Sequence, residues 1–234
     1  MKRTLAATIA TLMGIAMVIG PVGILTASAG GGGCTITGTS GNDVLIGTGG
    51  NDVICGLGGD DRISAGAGND IVRAGAGNDL VDGGIGNDVL KGGAGRDRMK
   101  GGKGDDRLKG GPKKDRLQGN AGADIIRGGP GRNVLAGGLG DDIIRGGPDG
   151  DTMRGAKGDD TLIGRSGNDT LSGGEGDDNI VGGKGADKLL GRLGSDTLDG
   201  VDGAGNDLLR GQGGPGDTDT CDADPGDVVQ SCEA

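Results

Sequence analysis

The chain has 234 residues, of which 61 are glycine, and it contains no Phe, Tyr, Trp or His. This composition excludes an ordinary globular domain with an aromatic core. The formal net charge of −10 argues against a nucleic-acid partner. Without His the common catalytic triads cannot be built, and we expect that the protein is not an enzyme.

Residues 1–29 are predicted to be an export signal. Lys2 and Arg3 precede an apolar stretch over residues 5–25, and Ala27-Ser28-Ala29 offers small side chains for cleavage. The alternative is a retained membrane anchor, because the apolar stretch is long enough to span a bilayer. We expect cleavage, a secreted protein and no membrane span in the mature chain.

A short N-terminal cap, residues 30–37, follows the export signal and contains Cys34. The four cysteines form two clusters, one at each end of the chain that remains: Cys34 with Cys55, and Cys221 with Cys232. In an exported protein such clusters predict disulfides. Four cysteines permit three pairings, and proximity favours the two local ones.

From Gly38 to Asp199 a nine-residue unit, G-x-x-G-[N/D]-D-x-U-x with U apolar, recurs eighteen times without insertion or deletion. Place six is Asp in 17 copies, with Asn133 as the exception, and place eight is apolar in all 18. Gly holds place one in 16 copies and place four in 16. Such a period predicts a solenoid.

Each copy divides into a turn and a strand. Gly at places one and four, with Asn or Asp at place five, predicts a sharp turn with positive φ. Places seven to nine predict a short strand with place eight inward. Two copies then make one coil, and coils stack in parallel.

One inward side chain per copy cannot stabilise this fold alone. Its burial contributes roughly 1.5–3 kcal/mol, whereas ordering nine backbones costs on the order of 1–2 kcal/mol each. A bound cation is the expected source of the difference.

Stacking places the turns of every second copy above one another, so that Asp43 lies over Asp61 and Asp52 over Asp70. Rows of carboxylates about 5 Å apart repel unless a cation lies between them. Oxygen donors are the ligands of Ca²⁺, whereas zinc prefers His and Cys. The candidate calcium ligands are Asp43, Asp52, Asp61, Asp70, Asp79, Asp88, Asp106, Asp124, Asp142, Asp160, Asp169, Asp178, Asp187 and Asp196.

On these residues the array resembles the nonapeptide repeats of bacterial RTX (hemolysin-type) proteins. The resemblance implies an all-β parallel β-roll with several Ca²⁺ ions. It also implies that the place-six Asp side chains and the backbone carbonyls of the Gly-rich places share each ion. Better-known members carry a lytic or catalytic domain and an uncleaved C-terminal signal, neither of which we expect here.

The turns of the odd-numbered copies change in the middle of the array. Arg96 precedes Asp97, Lys113 and Lys114 precede Asp115, and Arg132 precedes Asn133. We expect these basic side chains to neutralise neighbouring carboxylates where calcium is weak or absent. Nine turns on each side leave eight gaps per side, so the calcium count should stay below the 16 that full occupancy would give.

Beyond the array, residues 205–210 repeat the second part of the unit and predict one more half coil. The tail over residues 211–234 is predicted to be a cap closed by a disulfide. The β-roll is thus expected over residues 38–210, with no helices in the mature chain.

One outward pattern exceeds what calcium binding needs. Arg73, Lys91, Lys109, Arg127 and Arg145 occupy place nine of every second copy and should stack on one face. A solvated face is the simpler interpretation. The sharper hypothesis is a strip that docks on an anionic polymer of the cell envelope.

The sequence therefore predicts a secreted calcium-binding repeat protein without catalysis, whose partners are calcium ions and whose folding is driven by Ca²⁺ between stacked turns. The alternative is an adhesive or structural spacer at the cell envelope that uses the roll as a rigid rod.

Overall fold

The computed structural model describes residues 17–19, 24–26, 33–204, 206–214 and 216–232. Every regular element in these ranges is a β-strand. The predicted export signal lies outside the described residues except for its two short strands. No helix that is long and apolar enough to cross a membrane occurs in the described ranges.

The strands form two sheets. The first sheet contains β1 (Met17–Ile19), β2 (Ile24–Thr26), β4 (Val44–Ile46), β6 (Arg62–Ala67), β8 (Leu80–Ile85), β10 (Arg98–Lys103), β12 (Arg116–Ala121), β14 (Val134–Leu139), β16 (Thr152–Lys157), β18 (Thr170–Glu175), β20 (Lys188–Leu193), β22 (Leu208–Arg210) and β24 (Val228–Gln230). The second sheet contains β3 (Ile36–Thr37), β5 (Val53–Gly58), β7 (Ile71–Ala76), β9 (Val89–Ala94), β11 (Arg107–Lys109), β13 (Ile125–Arg127), β15 (Ile143–Arg145), β17 (Thr161–Ser166), β19 (Asn179–Lys184), β21 (Thr197–Asp199) and β23 (Thr220–Asp222).

From β2 onward, successive strands alternate between the two sheets, and each pairs in parallel with the strand one coil away. Leu45, for example, pairs with Ile63, the place-eight residue of the next coil. Only β1 and β2 pair antiparallel among the described strands. The architecture is the predicted parallel β-roll, in which every inner strand has its backbone groups paired on both sides.

The ladder continues past the array into the C-terminal tail. β22 pairs with β20, which confirms the predicted half coil. β23 and β24 then add to the two sheets, against β21 and β22. Tail residues therefore lie in the same two sheets as the array.

Most strands of the array are longer than places seven to nine. In β8, Val81 at place eight and Gly83 at place one of the next copy are buried, while Leu80 before Val81 and Asp82 between the two buried residues are exposed. The core is a column of apolar place-eight side chains, with Ala65 and Ala74 added where they replace the place-one glycine. Place eight points inward as predicted.

The turn glycines differ in part from the prediction. Positive φ occurs at place four, as in Gly68 (φ +110°), and at place two, as in Gly84 (φ +110°), but not at place one. The expectation of a left-handed place-one glycine is therefore wrong. Its role is steric: a Cβ on Gly83 would lie 2.5 Å from Asp88 Oδ2 and 2.5 Å from the Gly101 carbonyl oxygen.

Both predicted local disulfides are present. Cys34 is bonded to Cys55, and Cys221 is bonded to Cys232. Each bond ties a terminal segment to the end of the roll.

Candidate metal sites in the stacked turns

The place-six carboxylates lie inside the turns and are almost fully buried. Asp88 has no exposed surface, and Asp61 and Asp70 are each 1 % exposed. They form one column on each side of the roll, because successive turns on a side come from every second copy. The predicted rows of stacked carboxylates are therefore present.

Within a column, the first carboxylate oxygen of each Asp is held by the coil before it. The backbone N–H of Asp88 donates to Asp106 Oδ1 at 2.8 Å, and the N–H of Asp106 donates to Asp124 Oδ1 at 2.7 Å. These bonds orient each side chain. They leave the second oxygen, Oδ2, pointing into the turn.

In most turns this second oxygen has no hydrogen-bond partner. Because an unpaired buried carboxylate oxygen is costly, the ionised form needs a compensating positive group. We call these turns open turns. The Oδ2 atoms without a partner belong to Asp61, Asp70, Asp79, Asp88, Asp97, Asp106, Asp115, Asp124, Asp142, Asp160, Asp169, Asp178, Asp187, Asp196 and Asp207.

Burial also raises the pKa of these carboxyl groups. Desolvation raises the pKa of Asp115 from its ordinary value of 3.8 to about 7, with a further rise from the charge of Asp97 and an opposing effect of the hydrogen bond from the Asp97 N–H. Desolvation likewise raises the pKa of Asp88 to about 6. The fold by itself thus disfavours the charge that a cation would stabilise.

The turn at Asn133 contains a hydrogen-bond donor that the open turns lack. Its amide nitrogen donates to the carbonyl oxygens of Gly129 at 2.9 Å and Gly131 at 2.8 Å, at places two and four. Its Oδ1 accepts from the Asp115 N–H, as the Asp Oδ1 atoms accept in the other turns. The amide nitrogen supplies N–H donors to the carbonyls of its own turn.

The second oxygen of an open-turn Asp occupies the equivalent position. A Cβ on Gly128 would lie 2.6 Å from Asn133 Nδ2, and one on Gly119 would lie 2.0 Å from Asp124 Oδ2. An open turn therefore directs a carboxylate oxygen to the position where the amide of Asn133 meets two carbonyl oxygens. Oxygen atoms grouped without a hydrogen between them are the ligand set of a hard cation.

Three Asp turns satisfy the second oxygen internally. Asp52 Oδ2 accepts from the Thr48 N–H at 2.7 Å and from Thr48 Oγ1 at 2.8 Å. Asp43 makes the same contacts with Thr39, and Asp151 Oδ2 accepts from the N–H of Gly147 at 2.7 Å. With the Asn133 turn, we call these the closed turns.

The backbone at place two separates the three closed Asp turns from the open turns. Every open turn of the array has a place-two residue with positive φ, including the non-glycine residues Leu57 (φ 78°) and Arg165 (φ 86°). At Thr39, Thr48 and Gly147 φ is not positive, and their N–H groups reach the carboxylate instead. An Asp turn is therefore closed where the place-two N–H faces the carboxylate, and open where the place-two residue has positive φ.

The structure divides the predicted calcium ligands between closed and open turns. Asp43 and Asp52 lie in closed turns, whereas the other twelve predicted Asp residues lie in open turns. Asp97, Asp115 and Asp207 were not among the predicted ligands but share the open-turn geometry. Thr four residues before a place-six Asp, as at Thr39 and Thr48, was the sequence signal for closure.

Side chains alone do not form a metal site. The described residues contain no group of three or more His, Cys, Asp or Glu side chains close enough to hold one ion. Any metal ion bound in these turns would therefore need ligands from backbone carbonyls, as the resemblance implies.

The basic side chains in the middle of the array were expected to neutralise neighbouring carboxylates, but among the described residues they form no ion pair with them. Among the described residues, Lys157 with Glu175 forms the one ion pair, at 2.7 Å. Arg96 and Lys114 are exposed at place five, whereas Asp97 and Asp115 are buried beneath them.

Place five carries a second ladder that sequence reasoning missed. The backbone N–H of Asn69 donates to Asn51 Oδ1 at 2.8 Å, and the N–H of Asn87 donates to Asn69 Oδ1 at 2.9 Å. These bonds run in the opposite direction to those of place six. Each such turn is therefore clamped to the coil before it and the coil after it.

The fold and the turns define a class of protein, a β-roll of nonapeptide repeats with buried carboxylates in its turns. A family model described as the RTX calcium-binding nonapeptide repeat (4 copies) matches residues 29–63, 56–90, 82–112, 109–144, 145–180 and 172–203. The chain belongs to this family of calcium-binding repeats.

Comparison with curated proteins found no match. Among solved structures, the chain is similar to a hyperactive, Ca²⁺-dependent, β-helical antifreeze protein from an Antarctic bacterium. The identity is 22 % and the TM-score 0.41, over 79 % of this chain and 80 % of that one.

Proposed function

We propose that the open turns each take up a Ca²⁺ ion and that this binding drives the roll to fold. The observation that carries the proposal is the contrast between Asn133 and the open turns. Where an amide donates to the turn carbonyls, the turn is satisfied; where a carboxylate oxygen replaces that nitrogen, positive charge is missing. Bound calcium supplies that charge.

Calcium fits the donor set better than other common metals. The ligands offered are carboxylate and carbonyl oxygens, the chain has no His, and all four cysteines are in disulfides. Mg²⁺ demands a tight octahedron and keeps several waters, which suits a buried, backbone-rich turn less well. At one ion per open turn, the proposal sets an upper limit of fifteen ions.

Binding and folding are one event in this proposal, because the turn carbonyls and carboxylates converge only when the coils are stacked. The chain would leave the cell unfolded and fold where calcium is abundant. The disulfides at the two ends and the predicted export signal support a secreted location. We propose no catalytic role.

A calcium titration followed by far-ultraviolet circular dichroism tests the proposal. We expect the chelator-treated protein to lack strand signal and to regain it as calcium is added. A metal-free protein that keeps its strands and melts at the same temperature as the loaded form would contradict calcium-driven folding.

A matched pair of variants tests which turns bind. Asp88→Asn removes the carboxylate of an open turn and should lower the calcium count in native mass spectrometry. Asp43→Asn changes a closed turn and should leave the count unchanged. Equal losses would show that open and closed turns do not differ in binding.

A second candidate, a spacer at the cell envelope, is favoured by the place-nine column. Arg73, Lys91, Lys109 and Arg127 are exposed and pair in register on neighbouring strands. Like charges on adjacent strands destabilise a sheet, so an external anion would compensate them. Replacing the column with Ser should weaken binding to isolated cell envelopes; unchanged binding would exclude the column as the docking strip.

A further inference from the structure

A basic groove lies along the odd-copy turns in the middle of the roll, away from the place-nine column. Its cationic side chains are Arg96, Arg98, Lys114 and Arg116, and its cavity volume is about 480 Å³. All four are exposed. Such a concentration of positive charge stands out in a chain with a net charge of −10.

The fold sets the four cations in a regular pattern. Arg98 and Arg116 are register partners on β10 and β12. Arg96 and Lys114 precede them at place five of the same two turns. Neighbouring strands lie about 4.8 Å apart. The groove therefore repeats one pair of cations on two successive coils.

None of these four cations forms an ion pair within the described part of the molecule. The one ion pair there joins Lys157 to Glu175. The place-five ladder also stops at this point: the Arg96 N–H donates to Asn78 Oδ1 at 3.0 Å, but a guanidinium has no acceptor for the N–H of the next coil. The sequence loses a ladder bond here and places like charges on adjacent coils, which folding alone does not require.

We propose that the basic groove binds a linear polymer that carries phosphate groups. Each Arg offers five N–H donors in a rigid fork and Lys offers three, so the groove can bind the oxygens of several anionic groups at once. The fork of Arg binds the charged oxygens of a phosphate in pairs, and Arg is the residue most suited to phosphate recognition. The volume falls in the range of small-ligand sites, roughly 300–1,000 Å³. The repeated pattern suits a ligand with repeated charges.

The chemistry of the groove disfavours a single-stranded nucleic acid. The chain contains no aromatic side chain on which bases could stack. A polymer of polyol phosphate units has no bases and needs no stacking surface.

The floor of the groove contains Asp97 and Asp115, both of them open-turn carboxylates. Their charge would oppose an anion unless it is neutralised. In this respect the inference rests on the proposed function, because calcium bound in these turns would neutralise the floor. Binding should therefore be measured with the calcium-loaded protein.

The test uses a fluorescent poly(glycerol phosphate) oligomer and the full chain in excess calcium, followed by fluorescence anisotropy. Arg96→Gln/Arg116→Gln should weaken binding by about tenfold or more, since a hydrogen bond to a charged group is worth about a factor of ten. The matched control, Arg154→Gln/Lys188→Gln, removes the same charge from exposed positions on β16 and β20, outside both the groove and the place-nine column, and should leave binding unchanged.

Equal weakening by the two variants, no binding by the native chain, or tighter binding of a polyuronate of similar length would overturn the inference. Circular dichroism and the calcium count of each variant separate this outcome from a failure of the proposed function. A groove variant that binds its full calcium and still holds the phosphate polymer as tightly as the native chain overturns the groove alone.

Discussion

At place six, the exchange of one atom decides how a turn is satisfied. Asn133 and the Asp residues use Oδ1 in the same way, as the acceptor of a backbone N–H from the coil before. They differ in the second atom, which is a donor in Asn133 and an acceptor elsewhere. The amide closes its turn without a ligand, whereas the carboxylate leaves its own oxygen and the turn carbonyls to be balanced by a cation.

Asn133→Asp should therefore open the closed turn. Gly129 at place two already has the positive φ of an open turn (φ 94°), so the backbone need not rearrange. We expect the calcium count in native mass spectrometry to rise by one. At neutral pH the variant should need more calcium than the native chain to fold, because the unsatisfied buried carboxylate costs about 1–3 kcal/mol until an ion is bound.

Asn133→Ser provides the control for this substitution. It removes the amide without adding charge, so it should lower stability and leave the calcium count as in the native protein. An Asn133→Asp protein with an unchanged count would contradict the interpretation of the turn.

The open turns hold several non-glycine residues at place two in a strained backbone conformation. Leu57, Ala156 and Arg165 hold positive φ although each carries a Cβ. This conformation costs roughly 1–2 kcal/mol for a non-glycine residue. Its presence in every open turn of the array indicates that the turn determines the backbone there, rather than the local residue.

At the scale of the element, each turn column acts as a row of weak acids. Desolvation raises the pKa of Asp106, Asp142 and Asp178 to about 7, well above the ordinary value of 3.8. The folded metal-free roll then holds more protons than the unfolded chain between about pH 4 and pH 7. Its stability must fall as the pH rises through that window.

Metal-free protein should therefore gain strand signal when it is acidified from about pH 8 to about pH 5. In the presence of limiting calcium the same acidification should release the ion, because protons compete for the carboxylates. Circular dichroism and a calcium electrode measure the two effects. A metal-free chain whose strand content rises with pH would contradict the assignment of buried, proton-binding carboxylates.

At the scale of the whole molecule, the core of the roll is narrow, with one inward place-eight side chain from each copy. A single coil cannot bury its apolar side chains alone and depends on the coils stacked against it. Each coil contacts the coil before it and the coil after it, so stability is distributed along the axis. The ends have one neighbour fewer, and the disulfides Cys34–Cys55 and Cys221–Cys232 lie there. Their position suits a role in holding the terminal coils.

Cys221→Ser/Cys232→Ser should loosen one end without unfolding the rest. Loss of a bond that closes a short loop costs roughly 3 kcal/mol. Hydrogen exchange should show reduced protection in β22, β23 and β24 and unchanged protection in the middle coils. Cys34→Ser/Cys55→Ser is the mirror control, with losses near β3 and β5. Uniform loss along the roll would indicate a single cooperative unit instead.

The sequence alone determined the architecture of this protein. A repeat with one apolar and one acidic place in constant phase allows one stacking arrangement, so the parallel roll, the inward place eight and the two carboxylate columns followed from period and pattern. It also favoured the two local disulfides. These features depend on spacing along the chain, which a sequence displays directly.

The tertiary structure decided which turns are open, because Asp at place six does not by itself show whether the place-two N–H faces its carboxylate. Asp52 and Asp70 occupy the same place of the repeat, yet the peptide at place two turns an N–H toward one carboxylate and away from the other. The steric role of the place-one glycine and the groove formed by Arg96 and Arg116 likewise appeared only when the coils were stacked. Hydrogen bonds across a turn depend on the orientation of individual peptides, which the repeat pattern does not encode.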